Sequence, residues 1–131
     1  MPVSLSPVDY PALIWPVLEQ ALWRVKEKTG ERWEPNFVAA RIQAGQAGLF
    51  EFKHDGSHLA WMVVERYDQG EVWMNVWILV GEGLEHMEEC IPLIDLLAKQ
   101  IGAVSRRFTG RKGWGGMGFK PIATVYERVL I

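Results

Sequence analysis

Apolar residues recur at steps of three and four at Leu84, Met87, Ile91, Ile94, Ala98 and Ile101, the period of a helix with one buried face. The spacing predicts a helix over 84–101. Pro92 falls inside it and removes the backbone hydrogen bond to the carbonyl of Glu88, so a kink or a frayed first turn is expected. Gly102 closes the helix. Upstream, between 49 and 80, the period changes to two, and three strands are expected. Leu49–His54 is the first. His54-Asp55-Gly56-Ser57 is a hairpin signal, with Asp55-Gly56 as the turn. His58–Tyr67 is the second strand, and Asp68-Gln69-Gly70 turns the chain into the third, Glu71–Val80. Along this third strand Val72, Met74, Val76 and Ile78 are expected on one face, and Trp73, Asn75 and Trp77 on the other. Both faces are bulky, which places the strand centrally and covered on both sides.

The N-terminal third is helical in pattern. Residues 1–8 read as a loose lead-in. Asp9–Lys28 reads as a helix, with Leu18, Leu22 and Val25 at helical spacing, and with Pro11 and Pro16 suited to its first turns. Gly30 is a natural stop. Pro35 opens a second helix through Phe37, Val38 and Ile42, ending around Gly45 or Gly48. After Gly102, Val104–Thr109 reads as a short strand and Pro121–Leu130 as the last. The expected order is α-α-β-β-β-α-β-(short α)-β, within one domain over residues 1–131. No repeat, low-complexity stretch or linker interrupts it.

Composition changes the picture little. At 49% hydrophobic and 23% charged, the chain is ordinary for a globular protein long enough to bury a core without staples. A net charge of -2 excludes a general electrostatic attraction to nucleic acid or anionic membrane. The single cysteine, Cys90, excludes an intramolecular disulfide and fits a reducing compartment. No basic, apolar leader opens the sequence, and no apolar run approaches the roughly 20 residues that span a bilayer. The expected setting is cytoplasmic, in a bacterial host, or virion-associated.

The C-terminal run Gly113-Trp114-Gly115-Gly116-Met117-Gly118-Phe119-Lys120-Pro121-Ile122 is a glycine-rich corner between two strands. With the helix before it and the meander before that, it resembles the last third of a GNAT (general N-acetyltransferase) domain. Trp114, Gly118 and Phe119 match that family's aromatic–glycine–phenylalanine corner. The resemblance covers about residues 11–131. It implies an α+β fold, with a mixed, mostly antiparallel sheet and helices on both faces. The closing run 118–130 looks most like small phage- and prophage-encoded GNAT-like proteins, one branch of which is structural.

The resemblance also implies a cofactor site between the central strand and the main helix. There, backbone N–H groups at the helix start cradle the pyrophosphate of acetyl-CoA. Here Val80, Gly81 and Gly83 stand in that place, without the Arg or Gln that usually precedes the glycines. Glu82, Glu85, Glu88 and Glu89 crowd the helix start instead. They suit the helix dipole, but at about 8 Å each would repel a phosphate charge by about 1 kcal/mol before screening. A degenerate acetyl-CoA site is therefore expected. GNAT enzymes often pair a carboxylate on the central strands, as general base, with a tyrosine near the end, as general acid. On position, Glu65 and Tyr126 fill those roles, although Glu65 reads equally as an exposed strand end beside Arg66. In such a sheet the middle strands splay into a groove. Trp61, Trp73 and Trp77 lie on those strands, and core packing is their plainer reading.

Other motifs carry less. Gly113, Gly115 and Gly118 spell GxGxxG, but too few residues follow for the helix a dinucleotide fingerprint must open. His86 and Cys90 share a helical face, but nothing supplies the third and fourth ligands of a metal site, so no metal is expected. Cys90 reads as a packed thiol. His54 and His58 flank the hairpin and read as surface residues. Arg106, Arg107, Arg111, Lys112 and Lys120 form a basic patch that leaves nucleic acid open, although strand alternation sends Arg106 and Arg107 to opposite faces.

Two functions are consistent with these residues. The favoured expectation is a phage-type GNAT-like protein with no cofactor, acting as a structural or interaction module through a protein partner or self-association. The alternative is an acetyl-CoA-dependent N-acyltransferase.

Overall fold

The computed structural model describes residues 3–29, 33–68, 70–81 and 86–108. The elements run β1 (Val3–Pro7), α1 (Pro11–Thr29), α2 (Pro35–Gln43), β2 (Gly48–His54), β3 (Ser57–Asp68), β4 (Val72–Gly81), α3 (Met87–Gln100) and β5 (Ser105–Phe108). One sheet holds all five strands in sequence order. β1 to β4 pair antiparallel, and β5 lies parallel to β4 after the crossover through α3. This is the α+β arrangement of the GNAT fold.

β1 corrects the reading of residues 1–8 as a loose lead-in. Val3–Pro7 pairs with His54–Phe50 of β2. The reason is a short period-two pattern: Val3 and Leu5 turn toward the α3 side of the core, while Ser4 and Ser6 alternate with them. At five residues ending in proline, the segment is too short to announce itself, and proline suits an edge strand.

The sheet separates two apolar layers. On one face Phe52, Met62, Val64, Met74 and Val76 pack against Met87, Cys90, Ile94 and Ala98 of α3. On the other, Leu49, Trp61, Val63 and Ile78 pack against Leu18, Ala21 and Leu22 of α1 and Val38 of α2. The central strands are thus covered on both sides, as their bulk implies. Asp55 and Gly56 close the β2–β3 hairpin with φ of 51° and 83°, the left-handed pair that a two-residue type I′ turn requires.

β4 departs from simple alternation. Val63 faces Ile78 but Val64 faces Val76, so Trp77 is an extra residue on β4. The bulge puts Trp77 and Ile78 toward the same layer, that of α1 and α2. Ile78 therefore does not share a face with Met74 and Val76, as strict alternation predicts. α3 is described from Met87 rather than Leu84, and it runs through Pro92. The expected last strand at 121–130, the Trp114–Phe119 corner, Tyr126, Gly83, Glu82, Glu85, Arg111 and Lys112 lie outside the described residues.

Candidate active site

Glu65 sits on β3 in an otherwise apolar run and is only 7% exposed. Its burial excludes an exposed strand end. The neighbouring Arg66 points the other way, donating Nε–H to the carbonyl of Ile101 at 3.1 Å. Glu65 has its partners on the α2 side. Asn75, directly opposite on β4, donates Nδ2–H to Oε1 at 3.0 Å. Arg41, in the last turn of α2, donates Nη2–H to Oε2 at 2.7 Å. Tyr67, two residues further along β3, lies on the same side of the strand, close enough for the Glu65 carboxylate to act on its hydroxyl. Its ring stacks on Trp73, its register partner, at 4.3 Å and 13°.

The charges are set by these contacts. Burial, then the nearby Glu65 carboxylate, raise the Tyr67 hydroxyl above its ordinary pKa, and the Arg41 cation offsets part of this. Tyr67 therefore stays protonated. A carboxylate has about four acceptor sites, so the donors Arg41 and Asn75 leave room for a further partner.

Aromatic rings flank the polar group. The Arg41 guanidinium carbon lies 5.6 Å from the Trp77 ring centroid and 5.9 Å from that of Phe37. Phe37 and Trp33 each meet Trp77 nearly edge-on, at 82° and 74°. Trp77 thus lines the Glu65 side of the sheet, whereas Trp61 is a core residue and Trp73 backs Tyr67.

The bulge at Trp77 lies two residues beyond Asn75, roughly 7 Å along the strand. β4 pairs with β5 from Trp73↔Ser105 to Val76↔Phe108, the last residue of the chain that is described. Val80 packs toward the α1 layer. Gly81 has a steric reason to be glycine: a Cβ there would meet the Leu59 carbonyl oxygen at 2.5 Å and the Ala60 Cβ at 2.6 Å. Glu88 and Glu89 occupy the first turn of α3. Glu88 is exposed, whereas Oε2 of Glu89 is turned into the protein.

The remaining candidates find other places. Cys90 is buried in the α3 layer, and burial, helped by the Glu89 charge, pushes its thiol up to about 11. His86 stacks on His54 at 4.4 Å, and His58 lies against Trp61 while bonding Glu51 at 2.7 Å. His54 is half-buried and His58 exposed, and each adds a ring contact to its surface position, His54 with His86 of another element and His58 with Trp61 of its own strand. Among the described residues no group of three His, Cys, Asp or Glu side chains could hold a metal ion. Arg106 and Arg107 fall on β5 opposite Met74 and Asn75. No described helix is long and apolar enough to cross a membrane. A cleft of about 540 Å³ between α1 and α2, floored by Leu18 and Leu49, is apolar and carries no titratable group.

Sequence reasoning finds Glu65 but not Arg41, Asn75 or Tyr67. The signal is there in retrospect. A lone acid interrupts one apolar strand, a lone amide interrupts the next, and a lone arginine borders the apolar stripe of α2.

The sequence matches no protein-family model and no curated protein. Its fold matches solved structures along its whole length. A ribosomal-protein-alanine N-acetyltransferase from Brucella melitensis biovar Abortus 2308 aligns with TM-score 0.67 at 11% identity, covering 100% of this chain and 99% of that one. An acetyltransferase from Trypanosoma brucei aligns with TM-score 0.66 at 12% identity, covering 98% and 99%. A transcriptional regulator from Bacillus halodurans C-125 aligns with TM-score 0.63 at 16% identity, over the same shares. At these identities the likeness establishes a GNAT-like fold, and the fold alone.

Proposed function

We propose that this chain is an acyl-CoA-dependent N-acyltransferase whose acceptor amine approaches the Glu65 cluster from the α2 side. The observation that carries this reading is the position of Glu65. It is a buried carboxylate, fixed by Arg41 and by Asn75, which lies two residues before the Trp77 bulge. On this reading the β4 backbone past Trp77 would carry an extended pantetheine arm. Val80 and Gly81, with Gly83 beyond them, would lead that arm toward the start of α3. Glu88 is exposed, where salt screens its repulsion of a phosphate, and Oε2 of Glu89 is turned into the protein.

Bound acetyl-CoA would supply an activated thioester. The chain's own groups supply the rest. Trp77 and Phe37 wall the approach, and Glu65 accepts the proton that the amine must lose, directly or through one water. The amine would form its new N–C bond to the acyl carbon as the C–S bond to coenzyme A breaks. Tyr126 keeps its proposed role of protonating the departing thiolate. The test is thiol release from acetyl-CoA across a panel of amines. Glu65→Gln is expected to lower kcat by about 10²–10⁴ while acetyl-CoA affinity is kept. An unchanged kcat would remove Glu65 from the chemistry.

A second reading is favoured by one observation. Gly81 is explained by strand contact alone, so the Gly-x-Gly step need not record a cofactor. On that reading the chain is a GNAT-like interaction module with a degenerate site, and neither acetyl-CoA nor coenzyme A binds. A phage or virion setting has no support beyond the C-terminal sequence run.

A further inference from the structure

α1 is apolar on two sides. Its inner side buries Leu18, Ala21 and Leu22. On its outer side Tyr10, just ahead of the helix, Leu13 and Val17 are 72%, 80% and 59% exposed, at steps of three and four. Gln20 and Arg24, both exposed, continue the same stripe. No exposed residue between Tyr10 and Gln20 is charged. A helix apolar on both faces is ordinarily covered on both, and three large apolar side chains in one exposed line mark an interaction surface.

The charges at its two ends say what covers it. Asp9 precedes the stripe and Arg24 closes it. Both are exposed, and neither is in an ion pair among the described residues. Tyr10 and Arg24 stand equally far from Val17 along the chain. A two-fold axis near Val17 therefore brings Arg24 of each copy beside Asp9 and Tyr10 of an antiparallel second copy. That gives an ion pair and a cation over the Tyr10 ring, each made twice by symmetry. A parallel pair would instead set Arg24 against Arg24. A lipid surface suits the stripe less well, because helices that lie on membranes border their apolar face with Lys and Arg rather than with one acid and one base. The stripe offers roughly 600 Å² per copy, so a pair would bury about 1,200 Å², the low end for a specific interface.

We infer that the outer face of α1 is the interface of a two-fold homodimer, in which Tyr10, Leu13 and Val17 pack against the same residues of an antiparallel second copy and Asp9 pairs with its Arg24. The inference is independent of the proposed acyl transfer, and it is tested with no cofactor present. Sedimentation velocity of the full chain, from about 10 µM to about 1 mM, reads the association. A reversible dimer is expected, with a Kd on the order of 100 µM, as befits an interface of this size. Leu13→Glu with Val17→Glu, both at exposed positions, should leave the far-ultraviolet circular dichroism unchanged and the chain monomeric throughout. Asp9→Lys alone and Arg24→Asp alone should each weaken the dimer at least tenfold. The two together in one chain should restore it, because the antiparallel pairs are then present with their charges exchanged. A wild type that stays monomeric at the highest concentration would overturn the inference. So would a dimer that survives Leu13→Glu with Val17→Glu, or a charge exchange that fails to restore association. A monomeric wild type that floats with phosphatidylcholine vesicles would assign the face to lipid and overturn it equally.

Discussion

Arg41 and Glu65 are 24 residues apart in sequence and 2.7 Å apart in space, an ion pair that ties α2 to the middle of the sheet. Its carboxylate is nearly excluded from water while its guanidinium is a quarter exposed. That asymmetry sets what happens when either partner is removed.

Arg41→Ala strands Glu65 in a buried position with Asn75 as its remaining donor among the described residues. The expected loss of stability is about 2–4 kcal/mol, toward the lower part of the range for buried pairs because Arg41 is partly solvated. Replacing both together, as Arg41→Met with Glu65→Leu, should cost less than Arg41→Ala alone. Urea unfolding of the single and double variants checks this, and the non-additivity measures the coupling.

Alkaline pH should weaken the fold. Cys90 titrates at about 11 in the folded protein against an ordinary value of 9.0, and Tyr67 is also raised above its ordinary 10.0. Both groups are neutral when protonated, so the folded state holds its protons longer than the unfolded chain. Their contribution is therefore whole below pH 9 and is lost as pH rises through about 11. Melting temperature against pH should be flat for this contribution up to pH 9 and fall beyond it, and Cys90→Ala should flatten part of the fall. At pH 8, native Cys90 should resist a thiol reagent that modifies the unfolded chain at once.

Gly81→Ala separates a steric role from a cofactor role. The added methyl meets the Leu59 carbonyl and Ala60, so a loss of about 1–3 kcal/mol is expected with no ligand present. Thermal melts of the apo protein check it. An unchanged melting temperature would show that β3 and β4 can part at this point at no cost.

The β2–β3 turn makes a smaller prediction. Gly56, at φ 83°, should lose about 1 kcal/mol as alanine. Asp55→Asn, at φ 51°, should be neutral or slightly stabilising, because asparagine tolerates the left-handed region well. Chemical denaturation of both variants measures the difference.

The parts of the fold that were legible in the sequence are those where one repeating pattern governs. α3 shows its buried stripe at Met87, Ile94 and Ala98, and the Asp55-Gly56 turn announces itself by residue type. Two kinds of feature were hidden. β1 is too short for its alternation at Val3 and Leu5 to stand out, and only pairing with β2 gives it meaning. The Trp77 bulge breaks the period of two, so sequence alternation misplaces Ile78 from that residue on. The candidate site was half legible. Glu65 is visible as an acid in an apolar strand, but its partners come from α2 and β4. Which distant polar residue answers which is a matter of register and helix placement, not of spacing along the chain.

Acetyl-CoA binding, measured by calorimetry at low salt with coenzyme A as the comparison, tests the proposed transfer reaction most directly. Micromolar affinity is the result that the proposed transfer reaction predicts. No heat at millimolar acetyl-CoA would contradict it. The Glu65–Arg41 cluster would then be a structural tie within a GNAT-like module that performs no transfer.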